Sequence, residues 1–145
     1  MKKLIFLLII PFFALACEGP MGPPGYANLW VNYYTVESNR WILDGNPDAY
    51  GSYYYYRINI PQLTDYVYDD GSVVVYLDYS DDVQAILPST VNHGKDVNGY
   101  DYLWEERFDC EISPGYIDVL VTRSDFRTKD NRPDTYRFKV VLSWR

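Results

Sequence analysis

The stretch Tyr53-Tyr54-Tyr55-Tyr56-Arg57-Ile58-Asn59-Ile60 reads as a β-strand. A strand sends successive side chains to opposite faces. Tyr54, Tyr56, Ile58 and Ile60 therefore share one face, while Tyr53, Tyr55, Arg57 and Asn59 share the other. The first set is built to be buried, the second to meet water, and Pro61 ends the run because it cannot donate to a ladder. The same period recurs on both sides. Asn28 to Val36 is an aromatic and β-branched run, and Arg40 to Leu43 is a short second one closed by the turn signal Asp44-Gly45-Asn46-Pro47. Ser72 to Tyr79 sets Val73, Val75, Leu77 and Tyr79 against Val74, Tyr76 and Asp78, and Val83 to Leu87 stops at Pro88. Tyr100 to Ile112 sets Phe108, Cys110 and Ile112 against Arg107, Asp109 and Glu111. Tyr116 to Arg123 follows the turn Ser113-Pro114-Gly115, and Tyr136 to Trp144 points Tyr136, Phe138, Val140, Leu142 and Trp144 inward.

No helical period runs beyond about two turns. Gln62 to Tyr68 predicts one helical turn, Asp69-Asp70-Gly71 a reversal, and His93-Gly94 and Asn98-Gly99 mark loops. Seven or eight evenly spaced strands with Gly, Pro, Asn or Asp between them predict an all-β fold: an antiparallel β-sandwich, immunoglobulin-like or similar. A small β-barrel is the alternative. Residues 26–145 form a single β-sandwich domain on this reading, and no internal repeat is present.

The N-terminus carries a different message. Lys2 and Lys3 precede an apolar run from Leu4 to Ala16, which ends at Cys17. That run is shorter than the roughly 20 residues needed to span a bilayer, and it has the length of a signal-peptide core. Residues 1–16 are read as a signal peptide and Cys17 as a lipidation site. Ala14-Leu15-Ala16 also fits ordinary signal peptidase, and either cleavage leaves Cys17 first. Each buried acyl methylene contributes about 0.8 kcal/mol, so two or three chains hold a domain firmly to a bilayer. Membrane lipid, met through the acylated N-terminus, is thus one expected partner. Residues 17–25 add the run Gly19-Pro20-Met21-Gly22-Pro23-Pro24-Gly25, which is too short for a triple helix and reads as a stiff spacer of roughly 20–25 Å.

The 145-residue chain holds 13 basic and 20 acidic residues, a net charge of −7; removing Lys2 and Lys3 with the signal leaves 11 basic residues and a net charge of −9. Such a balance disfavours nucleic acid and anionic lipid as electrostatic partners. With Cys17 acylated, Cys110 is alone and no intrachain disulfide forms. The core, with 48% hydrophobic residues and sixteen tyrosines, must hold the fold.

Chemistry is sparse. His93 is the one histidine and no G-x-S-x-G is present, so a nucleophilic triad has little to build on. Cys110 faces inward, where a thiol acts as a small apolar group. The acid doublets Asp69/Asp70, Asp81/Asp82 and Glu105/Glu106 are read as solvated turn acids, because neighbouring strand residues point apart and cannot oppose each other across a cleft. Asp44, Asn46 and Asp48 have the first half of a calcium-loop spacing, but Ala49 stands where the loop needs Gly and Tyr55 where it needs Glu; a plain turn is the competing reading. One His and one inward Cys do not supply a zinc set. No cofactor is expected. Tyr53, Tyr55 and Arg57 remain as the candidate binding face: a flat aromatic platform if wet, cross-strand aromatic pairing if merely structural.

Cys17, the spacer Gly19 to Gly25, and the later segments Ile60-Pro61-Gln62-Leu63-Thr64 and Val67-Tyr68-Asp69-Asp70-Gly71 carry a resemblance to small uncharacterised lipoproteins of Bacteroidota-type bacteria, with a Tyr-rich all-β domain behind a short collagen-like spacer. The resemblance implies no known activity. It places the protein in the bacterial cell envelope, as an outer-membrane lipoprotein facing either the periplasm or the exterior. The function expected is a non-catalytic interaction or structural module with a protein or glycan partner; a carbohydrate-binding accessory lipoprotein using exposed tyrosines is the alternative.

Overall fold

A computed structural model describes residues 27–80 and 82–145; the signal, Cys17 and the spacer lie outside the described residues. Nine strands are present among those residues: β1 (Asn28–Val36), β2 (Ile42–Asp44), β3 (Tyr53–Asn59), β4 (Ser72–Ser80), β5 (Val83–Ile86), β6 (Ser89–Val97), β7 (Tyr100–Ser113), β8 (Tyr116–Arg123) and β9 (Tyr136–Trp144). A 3₁₀ turn spans Ser38–Arg40 and one short helix, α1, spans Asp65–Asp70.

The strands form two antiparallel sheets, ordered β1-β9-β4-β5 and β2-β3-β8-β7-β6. The sheets do not close on each other, so the fold is a sandwich and not a barrel. The first strand pairs with the last, Asn28 opposite Trp144 through Val36 opposite Tyr136. This order differs from that of an immunoglobulin constant domain, whose first strand neighbours its second.

The period-2 pattern places the core. Tyr54 and Ile58 of β3, Phe108 of β7, Ile117, Val119 and Val121 of β8, and Phe138, Val140 and Leu142 of β9 are all buried between the sheets. Phe108 sits at the centre, its ring 4.7 Å from that of Tyr136 in an edge-on contact. Ile60, Leu63 and Val67 close one end of the sandwich. The segment around α1 is held there by Ile60 N donating to Gly115 O at 2.7 Å and by the Thr64 hydroxyl capping Val67 N at 3.3 Å. Trp41 is 2% exposed, and its indole donates to Asp134 O at 3.1 Å.

One element departs from expectation. His93-Gly94 is not a loop; it lies inside β6, which pairs with β7 from Ser89 opposite Phe108 to Val97 opposite Tyr100. Ser89–Val97 has only Val91 and Val97 as large apolar side chains, too few to show a strand period in the sequence, yet an edge strand needs only backbone pairing on one side. Asn98-Gly99 is the two-residue turn of that hairpin, with φ of 55° and 83°. Both values lie in the left-handed region that a type I′ turn requires and that Asn-Gly adopts readily.

Candidate functional site

The outer face of the five-stranded sheet collects the tyrosine candidates. Register sets Asp44 of β2 opposite Tyr53 of β3, and sets Tyr55 and Arg57 of β3 opposite Leu120 and Asp118 of β8. Glu111 of β7 lies opposite Asp118 on its other side. Tyr53, Tyr55 and Arg57 thus share one shallow hollow of about 270 Å³ with Asp44, Glu111 and Asp118.

Two pairs there are fixed. The Tyr53 hydroxyl donates to Asp44 Oδ2 at 2.6 Å. That bond, reinforced by desolvation, pushes the phenol up to about 12. Arg57 grips Asp118 with two bonds, Nε to Oδ1 at 2.8 Å and Nη2 to Oδ2 at 2.7 Å. Its guanidinium lies 3.8 Å from the Tyr116 ring centroid. An exposed ion pair is worth little as stability, but a two-pronged, ring-stacked arginine has a set geometry. The result is a row of rings, acceptors and one fixed cation facing solvent.

The Asp44-x-Asn46-x-Asp48 spacing forms a turn bonded to the chain around it. Asp44 Oδ1 accepts from Gly45 N at 2.9 Å, and Oδ2 takes the Tyr53 hydroxyl. Asp48 has φ 58°, and its Oδ1 accepts from Lys129 N at 2.9 Å. Asn46 O accepts from Ala49 N at 3.1 Å. The buried Thr128 ties this turn down: its hydroxyl takes Asp48 N at 2.9 Å, and its carbonyl takes the Tyr54 hydroxyl at 2.5 Å. Among the described residues no group of three or more His, Cys, Asp or Glu side chains is gathered to hold a metal.

A second cluster lies at the root of the β6–β7 hairpin. The reading of the acid doublets as solvated turn acids fails here, since Glu106 is only 4% exposed. Glu106 Oε1 accepts from Arg123 Nη1 at 3.3 Å, and Oε2 accepts from the Tyr136 hydroxyl at 2.9 Å. Burial, followed by the Glu106 charge, pushes the Tyr136 phenol well up. Arg123 also donates to Asp125, which accepts from Tyr102 as well. Burial pushes the Asp125 carboxyl up, but the bonds from Arg123, Tyr102 and Arg127 N outweigh it and hold the group below its ordinary 3.8. The Trp104 ring is stacked by His93 at 5.1 Å and covered by the Arg123 guanidinium at 4.7 Å. His93 Nε2 lies 3.2 Å from Glu106 Oε2 but off the hydrogen-bonding direction, and both it and Trp104 Nε1 are buried without a hydrogen-bond partner.

The signal for this cluster was in the strand period. Glu106, Trp104 and Tyr102 continue the parity of Phe108, Cys110 and Ile112, and Arg123 continues that of Val119 and Val121. Both strands run past the end of the core, so their inward positions turn from apolar to charged. Cys110 is half-buried as expected, and burial raises its thiol.

No protein-family model, no curated protein and no solved structure matches this chain.

Proposed function

We propose that this protein is an envelope-anchored, non-catalytic binding lipoprotein that presents the outer face of its five-stranded sheet to a partner. The observation that supports this most is the preorganisation of Tyr53 and Arg57 on either side of Tyr55. The Tyr53 phenol is set by Asp44 and the Arg57 guanidinium by Asp118 before any partner arrives, and the sheet register places Tyr55 between them. Ordering a side chain at an interface costs about 0.5–1.5 kcal/mol, and fixing it in advance lowers that cost. Tyr53 and Tyr55 offer rigid amphipathic area, the type of surface enriched in binding patches.

A second reading has its own support. Asp44, Glu111 and Asp118 surround the tyrosine rings with acceptors, and Arg57 adds donors. Rings flanked by such groups suit a sugar, whose faces are apolar and whose edge is lined with hydroxyls. The carbohydrate-binding accessory reading rests on this feature.

The test compares the full chain with its Tyr53→Ser/Tyr55→Ser variant, by crosslinking in the envelope and on a glycan array. The account predicts a discrete crosslinked complex or a glycan signal that the variant loses at least tenfold. Equal signals for both chains contradict it, and an array signal decides for the glycan reading.

A further inference from the structure

We infer that β1 is a self-association edge, and that two copies of this chain pair there antiparallel to form a continuous eight-stranded sheet. The inference goes beyond the binding face on the other sheet and does not depend on it.

An edge strand exposes unpaired N–H and C=O groups, and proteins shield such edges with charges, prolines, bulges or short length. Among the described residues, three of the four edges are shielded. β2 has three residues; β5 has four, with a register shift on β4 beside it and Pro88 soon after; β6 carries Lys95, Asp96 and Gly94. β1 has none of these devices. It runs nine residues, Asn-Leu-Trp-Val-Asn-Tyr-Tyr-Thr-Val, in unbroken register, with no charge, proline or glycine. In a chain of net charge −7, an uncharged edge is where two identical copies can meet without repulsion.

The backbone fixes which groups are free. Tyr33 N–H donates to the Asn32 side chain at 2.9 Å and so points away from β9. The far side of the sheet agrees. Leu87 N donates to Val75 O, so Val75 faces β5 and the next residue, Tyr76, faces β9, where it meets Lys139, the partner of Tyr33. Leu29, Val31, Tyr33 and Thr35 therefore offer their backbone groups to the open edge. Their side chains lie on the outer face, where Leu29 is 69% exposed and Val31 and Tyr33 are each 44% exposed.

One register satisfies all of these groups at once. With the two-fold axis at Asn32, Leu29 bonds with the second copy's Thr35 and Val31 with its Tyr33. Trp30 then faces Tyr34 of the second copy, and Asn32 faces Asn32. Aromatic–aromatic and aromatic–β-branched cross-strand pairs are favourable, and two amides bond each other. Shifting the axis to Val31 sets the Asn32 amide against Trp30. Shifting it to Tyr33 sets that amide against Tyr34 and brings Glu37 beside Leu29. An asparagine at one position fixing register is a known device of paired elements; here Asn32 meets its own twin, while Asn28 at the end of the strand faces Val36 of the second copy. In a single copy the same amide shields the Tyr33 N–H, and it is released on pairing. The pairing is isologous and closes at two copies.

The test uses the full chain in detergent. Sedimentation is expected to give twice the protomer mass. Asn32→Cys is expected to form an intermolecular disulfide that maps to residue 32, because directly opposed positions of a non-bonded pair have the right separation. Val31→Cys is expected to form none, since its twin lies on the diagonal. Val31→Pro removes only an outward N–H and is expected to yield a monomer with unchanged circular dichroism; Val31→Lys is the second breaker should proline unfold the strand. A wild-type chain that stays monomeric up to millimolar concentration, a dimer that survives both substitutions, a disulfide at 31 and not at 32, or another polypeptide found paired to β1 would each overturn the inference.

Discussion

At the scale of single residues, the most consequential groups are Glu106 and Arg123, each with a side chain 5% exposed. Removing one member of a buried ion pair costs about 3–5 kcal/mol, because the other charge is left uncompensated in low dielectric. That is a large share of the roughly 5–15 kcal/mol that holds a domain of this size. Arg123→Met is therefore expected to lower stability by about 3–5 kcal/mol in urea unfolding; a loss under about 1 kcal/mol would mean that Glu106 finds other donors. Asp125 adds a pH dependence. Its folded carboxyl sits below 3.8, so it contributes stability that is complete above that value and is lost as pH falls through the depressed one. In Arg123→Met this acid loss should shrink, which unfolding curves between pH 2 and 5 would measure. The sequence pairs neither Glu106 with Arg123 nor Asp125 with Tyr102, because their meeting depends on which strands become neighbours. Parity alone carries Glu106 to the inner face.

At the scale of elements, legibility follows burial. β3, β8 and β9 have clean alternation because the core is on one side and water on the other, and β1 matches its sequence bounds residue for residue. β6 is hidden because its partner is needed to define it. The Asn98-Gly99 turn is a loop by sequence and a hairpin by structure, and the difference is strand pairing on either side. The two glycines of the β6–β7 hairpin should behave differently. Gly99 has φ +83° and nothing within 4 Å of an added Cβ, so Gly99→Ala costs only the left-handed strain, about 1–2 kcal/mol. Gly94 lacks a positive φ, and an added Cβ meets only the exposed Leu103 side chain at 3.1 Å. Gly94→Ala should be within about 0.5 kcal/mol of neutral. Thermal unfolding of both variants checks this, and equal losses would contradict the turn assignment.

At the scale of the whole molecule, the chain closes on itself. β9 lies between β1 and β4, so the four-stranded sheet forms only when residues 28–36 find residues 136–144. Neither that order nor the placement of the outer tyrosine face beside Asp44, Glu111 and Asp118 is written in local pattern. The tyrosine period sends Tyr53 and Tyr55 outward, but only the pairing of β3 with β2 and β8 supplies the carboxylates. The function proposed for this surface rests on an envelope anchor, and the anchor proposed is Cys17. Mass spectrometry of the mature chain recovered from its envelope tests this most directly. The account predicts an N-terminal peptide that begins at Cys17 and carries two or three acyl chains. A bare Cys17 thiol on a chain released into the medium would contradict it.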